Sequence, residues 1–234
     1  MLNVVDWGLV DYREALTRQE DLVDRVAREQ AHETLVFCSH PPIVTLGRGT
    51  KPGDVFGWSG DVLEVSRGGR ATYHGPSQIV VYPILDLNSR GRDLHLHFRR
   101  MEQALLATVQ HFGISSATGR SPQVEDGADD AVEATGVWVG SRKLASIGVA
   151  VRKWVSYHGL ALNVEDDPRA FVGLKPCGFA PGTATSMQEV LQHQVLQQQA
   201  LAQQPRIAPS VVGELRRDLV RDRLEYELRR VFES

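Results

Sequence analysis

Two cysteines stand in the chain, in different settings. Cys177 lies between Pro176 and Gly178, in a turn rather than on a periodic apolar face, and is the candidate nucleophile. A free thiol has a pKa of about 8.5, so little of it is thiolate at neutral pH. A neighbouring ammonium would stabilise the thiolate and lower that value. Lys143 is a candidate for such a partner, because it follows a hairpin turn and opens a strand otherwise made of Leu, Ala, Ile and Val. The plain readings are an inert turn cysteine and a solvated strand-edge lysine. No local spacing joins the pair, so only the fold can. Cys38 closes the apolar run Leu35-Val36-Phe37 and reads as a small buried side chain.

His74 and His158 each sit in the tripeptide Tyr-His-Gly. A metal site needs a third ligand, and the nearest HxH pair, His95 and His97, belongs to a helix start. No metal and no cofactor is therefore expected. Each histidine either bonds a backbone carbonyl and shapes a loop, or lines a substrate pocket. The segments around them are too glycine-rich and polar for plain core. They are Arg67-Gly68-Gly69-Arg70-Ala71-Thr72-Tyr73-His74-Gly75-Pro76, Lys143 to Gly148 with Ser146 and Ile147, and Tyr157 to Asn163 with Gly159 and Leu160. Glycines beside strands often mark close backbone approach to a ligand. Gly47-Arg48-Gly49-Thr50-Lys51 lacks the P-loop pattern and no dinucleotide fingerprint is present, so an ATP-driven reaction has no standard phosphate cradle here.

Local patterns indicate the elements that must position these residues. Short strands are expected at Leu2–Val5, Thr34–Cys38, Ile43–Leu46, Val62–Val65, Ile79–Leu87 and Val155–Val164, with a hairpin at Val137–Val139 and Lys143–Val151 turning at Gly140-Ser141. Helical spacing runs from Asp11 to Gln30 through Tyr12, Leu16, Val23 and Val26, with Gln19 as a lapse. A second helix starts at Asp93, shows Phe98, Met101, Leu105, Val109 and Phe112 on one face, and stops at Gly113. Ser186 to Glu189 has capping-box spacing. Ser115–Thr135 is acidic and reads as a flexible surface loop, and the Gln-rich and charged stretches after about residue 192 read as a peripheral helical extension. Together these imply an α+β fold: a mixed, largely antiparallel sheet flanked by helices, in a single catalytic domain over 1–234 with its core at about 1–190.

Bulk properties narrow the class of function. The chain has 234 residues, 42% hydrophobic and 24% charged, with a formal net charge of −3. That balance argues against a dedicated nucleic-acid binder. No apolar run approaches a membrane span, and the first residues have no basic-then-apolar leader pattern, so a cytoplasmic protein with free thiols and no membrane role is expected.

In combination, RGG-x-x-TYHGP from Arg67, K-x-x-S-I-G from Lys143, HGLALN from His158 and PCG from Pro176 resemble the lipoyl-pathway octanoyltransferases. The resemblance spans about residues 35 to 190. It implies the fold shared by biotin and lipoate protein ligases, a catalytic Cys177, a pKa-lowering Lys143, and substrate-pocket segments at Arg67–His74, Ser146–Gly148 and His158–Leu160. It also implies an acyl carrier protein as octanoyl donor, and as acceptors lipoyl domains of 2-oxoacid dehydrogenase complexes and of the glycine cleavage H protein. Ser77 stands where the family has glycine. Oxyanion donors are expected near Cys177 and Gly178 or in the Gly68-Gly69 turn, and Leu144, Ile147 and Leu160 are either walls of an acyl slot or ordinary core. Arg48, Lys51, Arg67, Arg70, Arg142, Lys153 and Lys175 form an expected basic rim for an acidic carrier. The rival readings are an amidotransferase moving octanoyl between lipoyl domains, an ATP-dependent lipoate or biotin ligase, and a non-catalytic binding module.

Overall fold

The computed structural model describes residues 2–120, 135–175, 182–201 and 215–233. Cys177 with Pro176 and Gly178, and most of the acidic 115–135 segment, lie outside the described residues.

Runs that are buried at almost every position make up the central layer. Successive side chains of a strand point to opposite faces, so a strand buried throughout must be covered on both. Such strands are β2 (Thr34–Ser39), β6 (Gln78–Ile84) and β10 (Val155–Asn163). They form the middle of a seven-stranded sheet with β1 (Asn3–Leu9), β9 (Arg142–Arg152), β8 (Thr135–Val139) and β7 (Ala117–Arg120), ordered β1-β2-β6-β10-β9-β8-β7. Only the β1–β2 pair is parallel.

Leu35, Phe37, Ile79 and Val81 face α2 (Leu94–His111) and α4 (Arg217–Phe232), and meet Met101, Leu105, Val109, Val220, Leu224 and Leu228. The intervening Val36, Cys38, Val80, Tyr82 and Ile84 face α1 (Tyr12–Ala27), through Ala15, Val23 and Val26. Met187 and Val190 bring α3 (Met187–Leu201) to the first of these cores. Local chemistry sets the helix starts. Asp11 accepts the Arg13 and Glu14 N–H groups, Asp93 accepts that of Leu96, and the Ser186 hydroxyl accepts that of Glu189.

A second, three-stranded sheet is ordered β4 (Asp61–Glu64), β3 (Ile43–Leu46), β5 (Ala71–His74), with β3 parallel to β4 and antiparallel to β5. β5 is not among the strands read from the sequence. Its four residues belong to the glycine-rich motif, and β3 supplies the pairing that local propensity does not announce.

Two further expectations are corrected. Ala117–Arg120, read as part of a loop, pairs with β8. The charged C-terminal stretch is not peripheral over α4: its Val220, Leu224, Leu228, Val231 and Phe232 are buried in the larger core, while its arginines and glutamates pair along the helix. Among the described residues, no helix is long and apolar enough to cross a membrane.

Candidate active site

One open cavity, of about 490 Å³ empty volume, gathers most of the residues singled out by the motifs. Gly68, Gly69, Thr72, His74, Lys143, Ser146, Ile147, Gly148, His158, Gly159, Leu160 and the Arg67 side chain border it. They arrive from the 67–70 loop, β5, β9 and β10, far apart in sequence: β9 and β10 are paired in the larger sheet, β5 belongs to the smaller one, and the Gly68 N–H joins its loop to the Val149 carbonyl of β9.

Arg70, Ala71 and Tyr73 do not border the cavity. The period of two explains β5: Thr72 and His74 face the cavity, so Ala71 and Tyr73 face away. Tyr73 packs with Val44, Phe171 and Leu174 and donates to the Asp167 carboxylate at 2.6 Å. Arg70 turns to Asp54, donating from Nε at 2.9 Å and from Nη2 as well. Burial pushes the Asp54 carboxyl up, but Arg70 and the Lys51 N–H outweigh it and hold it below the usual carboxylate range.

Lys143 is only 4% exposed. Trp138 is its cross-strand neighbour, and the ammonium lies 5.2 Å from that ring's centroid, a contact worth about 0.5–2 kcal/mol. Gly136 makes the space. At φ 147 a Cβ there would meet the Ala145 oxygen at 2.2 Å and the lysine Cε at 3.0 Å. The Lys143 backbone binds the chain beyond Cys177: its N–H donates to Thr183 at 2.6 Å and its carbonyl accepts from Thr185 at 3.0 Å.

The cavity floor is polar and buried. Adjacent strand residues normally face opposite ways, but His158 has φ 55, in the left-handed region. That twist stacks its ring on Tyr157 at 4.8 Å and brings Nδ1 to the Tyr12 hydroxyl at 3.3 Å and Nε2 to the Ser66 hydroxyl at 3.3 Å. Gln19, the apparent lapse in the α1 pattern, is fully buried and accepts the His158 N–H at 2.8 Å. Its polarity is what the bent strand requires of the helix above it.

His40 joins the same network. Its Nδ1 contacts the Val10 carbonyl at 2.8 Å and its Nε2 the Tyr82 hydroxyl at 2.7 Å. A carbonyl only accepts, so Nδ1 carries the proton and Nε2 receives the tyrosine hydroxyl. By the same logic His74 Nδ1 donates to Gln78 Oε1 at 3.2 Å, because the Gln78 amide nitrogen is committed to the Tyr73 carbonyl and Asn163. Burial holds these imidazoles neutral. His40 is lowered to about 4, His158 to about 3 with help from the Arg67 charge, and His74 falls well below its ordinary value. Tyr12 is pushed up to about 12 by the same burial.

Other expectations divide. Ile147 and Leu160 line the cavity, whereas Leu144 is core. The Gly68 N–H is bonded to the Val149 carbonyl at 3.0 Å and is not an available oxyanion donor. Cys38 is buried, which pushes its thiol well up. The basic rim shrinks. Arg67 is buried, Arg142 pairs with Glu189, and Lys153 pairs with Asp24 on α1. Arg48, Lys51 and Lys175 are exposed. Ala161 of the Tyr157–Asn163 segment also borders the cavity, as do Tyr12, Val80 and Tyr82, which were not singled out by sequence. Among the described residues, no three His, Cys, Asp or Glu side chains stand together as metal ligands.

Residues 11–204 match the lipoyl protein ligase A/B catalytic domain. The chain belongs to that family. It is 47% identical over 190 residues to an octanoyltransferase of Bdellovibrio bacteriovorus, covering 79% of this chain and 87% of the relative. It is 42% identical over 187 residues to an octanoyltransferase of Geotalea uraniireducens, covering 80% and 82%. The fold of the family recurs in a lipoate-protein ligase A solved with ATP (TM-score 0.62, 18% identity, covering 99% of this chain and 85% of the other). A putative lipoate protein ligase from T. acidophilum also shares it (TM-score 0.60, 16% identity, covering 99% and 85%). Within this lipoyl ligase A/B chain, the cavity wall built from β5, β9 and β10 is thus part of the matched catalytic domain.

Proposed function

We propose that this protein is an octanoyltransferase of lipoate biosynthesis, taking octanoyl from acyl carrier protein onto Cys177 and passing it to a lysine of a lipoyl domain. The observation that carries the reading is a buried lysine, Lys143, at the wall of a cavity in a chain 47% identical to an octanoyltransferase. The acceptors are lipoyl domains of 2-oxoacid dehydrogenase complexes and of the glycine cleavage H protein.

The Cys177 thiolate, stabilised by the Lys143 ammonium, attacks the thioester carbonyl of the donor. The tetrahedral intermediate collapses and the carrier's thiolate leaves with the proton of the Lys143 ammonium, exchanging one thioester for another and leaving Lys143 neutral. The acceptor lysine, as its free amine, then attacks the Cys177 thioester. Neutral Lys143 takes the proton from that nitrogen, the C–S bond breaks, and an amide forms. Thioester to amide is downhill, so no nucleotide is consumed. Ile147, Leu160 and Val80 supply apolar wall for the alkyl chain, and the neutral histidines and tyrosines place no charge against it.

The test is intact mass after mixing the purified protein with octanoyl acyl carrier protein without ATP. A gain of one octanoyl group, labile to hydroxylamine and absent from Cys177→Ala, is expected. An adduct only with an octanoylated lipoyl domain would make the protein an amidotransferase. No adduct with either donor would overturn the thioester mechanism.

A further inference from the structure

The segment around Asp54 was not singled out by the sequence, and the cavity does not use it. Yet this carboxylate is 1% exposed, and Arg70, 14% exposed, closes on both of its oxygens. Oδ2 also accepts the Lys51 N–H at 2.9 Å, which folds the 51–54 turn around it. On its backbone side the Asp54 carbonyl accepts the Lys175 N–H at 2.8 Å. Lys175 stands two residues before Cys177.

The neighbouring contacts point the same way. Val55 and Leu174 form an antiparallel bridge, and the Phe56 and Gly57 N–H groups both donate to the Gly173 carbonyl, at 2.9 and 3.2 Å. Gly173 has φ 70, and a Cβ there would come within 2.3 Å of the Gly57 carbonyl carbon. The two loops therefore meet backbone to backbone. In the other direction, the Arg70 carbonyl accepts Arg67 Nη1 at 2.9 Å, and Arg67 borders the cavity. Asp54 thus ties together the glycine loop at the cavity, through its carboxylate and Arg70, and the chain that enters Pro176-Cys177, through its backbone carbonyl. Beyond Cys177 the chain is tied at Thr183 and Thr185 to Lys143 itself.

We propose that Asp54, closed by Arg70, is a positioning residue for Cys177, setting the point from which the nucleophile's chain departs relative to Lys143. The inference rests on reading Cys177 as the acyl-bearing residue. Asp54 acts through Lys175 and Arg70 and touches no substrate. A thiolate is stabilised by an ammonium only at short range, and a displacement of about 1 Å at a reacting centre can cost about 10²-fold in rate. A carboxylate that fixes the turn whose backbone holds Lys175 therefore influences both ionisation and turnover.

The experiment measures the rate of Cys177 alkylation by iodoacetamide against pH, read by peptide mass spectrometry, in wild type, Asp54→Asn and Arg70→Lys. Octanoyl-transfer kcat and KM are measured alongside. Asp54→Asn is expected to move the alkylation midpoint up by about one pH unit and to lower kcat about ten- to a hundredfold, with donor KM changed much less. Arg70→Lys keeps the charge but loses the fork, and is expected to fall between the two. It also keeps the test open if Asp54→Asn does not fold. An unmoved alkylation profile in the folded variants, with kcat lost only in proportion to folded protein, would overturn the proposal. Because alkylation needs no octanoyl donor, a wild-type Cys177 without a lowered midpoint would instead count against the reading of Cys177 itself.

Discussion

The two faces of the seven-stranded sheet are both buried but differ in chemistry. Against α2 and α4 the core is almost wholly aliphatic and aromatic, with His97, Thr108 and the arginine-paired Glu227 as rare polar members. Against α1 the same strands meet Tyr12, Gln19, His40, Tyr82 and His158, joined through hydroxyls, ring nitrogens and backbone groups. Burying polar groups is unfavourable unless they are satisfied; here the hydroxyls, the ring nitrogens and the His158 N–H are bonded, and the Gln19 amide nitrogen has no hydrogen-bond partner among the described residues. The first face stabilises the sheet. The second shapes the cavity floor beside β9, the interior strand that bears Lys143.

The contrast can be broken most sharply at Lys143. Lys143→Ala is expected to lower octanoyl-transfer kcat by about 10²- to 10⁴-fold while circular dichroism remains that of the folded protein; a kcat within tenfold of wild type would remove Lys143 from the reaction. On the opposite face, Leu224→Ala is expected to cost about 2–5 kcal/mol in urea unfolding, with specific activity per folded molecule unchanged. A large kcat loss in that variant would show that the two faces are not separable.

Acidification sharpens the comparison further. His40 and His158 on the α1 side, and His97 on the α2 side at about 4, all titrate below the unfolded histidine value of 6.5. Below pH 6.5 the unfolded chain binds protons that the folded chain refuses, so stability is highest above that value and falls as pH drops toward about 4. Each such histidine contributes a slope approaching about 1.4 kcal/mol per pH unit. His97, whose two buried ring nitrogens have no partner, is the test residue. In His97→Leu the loss of stability between pH 7 and 5 should be smaller, and activity at pH 7 unaltered. A slope equal to wild type would mean that the α1-side histidines alone carry the acid sensitivity. The smallest effect is expected for Gln19→Ala, which leaves the His158 N–H without its acceptor. It should cost about 1–3 kcal/mol of stability and, with His158 loosened, reduce kcat several-fold. An unchanged kcat would separate the α1 network from catalysis.

Parts of this arrangement were legible in the chain. The apolar run Thr34–Cys38 announced a buried strand, and the β-branched residues of Ile79–Leu87 announced a strand that the structure ends at Ile84. Asp11, Asp93 and Ser186 announced helix starts, because capping is a contact between near neighbours. β5 was hidden, since its pairing partner supplies the extended conformation that Ala71-Thr72-Tyr73-His74 does not announce. Gln19 was misread because its partner, the His158 N–H, lies 139 residues away. Arg70 was taken for a pocket residue because sequence adjacency to Arg67 says nothing about which way a guanidinium turns; Asp54 decides that.

The sequence by itself determined the inventory: the cysteine in its Pro-Gly setting, the lysine opening a strand, two Tyr-His-Gly tripeptides, and the periodicities that bury one side of each helix. These are properties of residue type and short spacing. Tertiary structure alone decided which of them meet. It buried Lys143 beside Trp138, turned His158 onto the α1 face, and gave Arg70 to Asp54 rather than to the cavity. Such choices depend on groups brought together across long stretches of chain, where burial makes an unpaired charge or N–H costly and therefore fixes its partner.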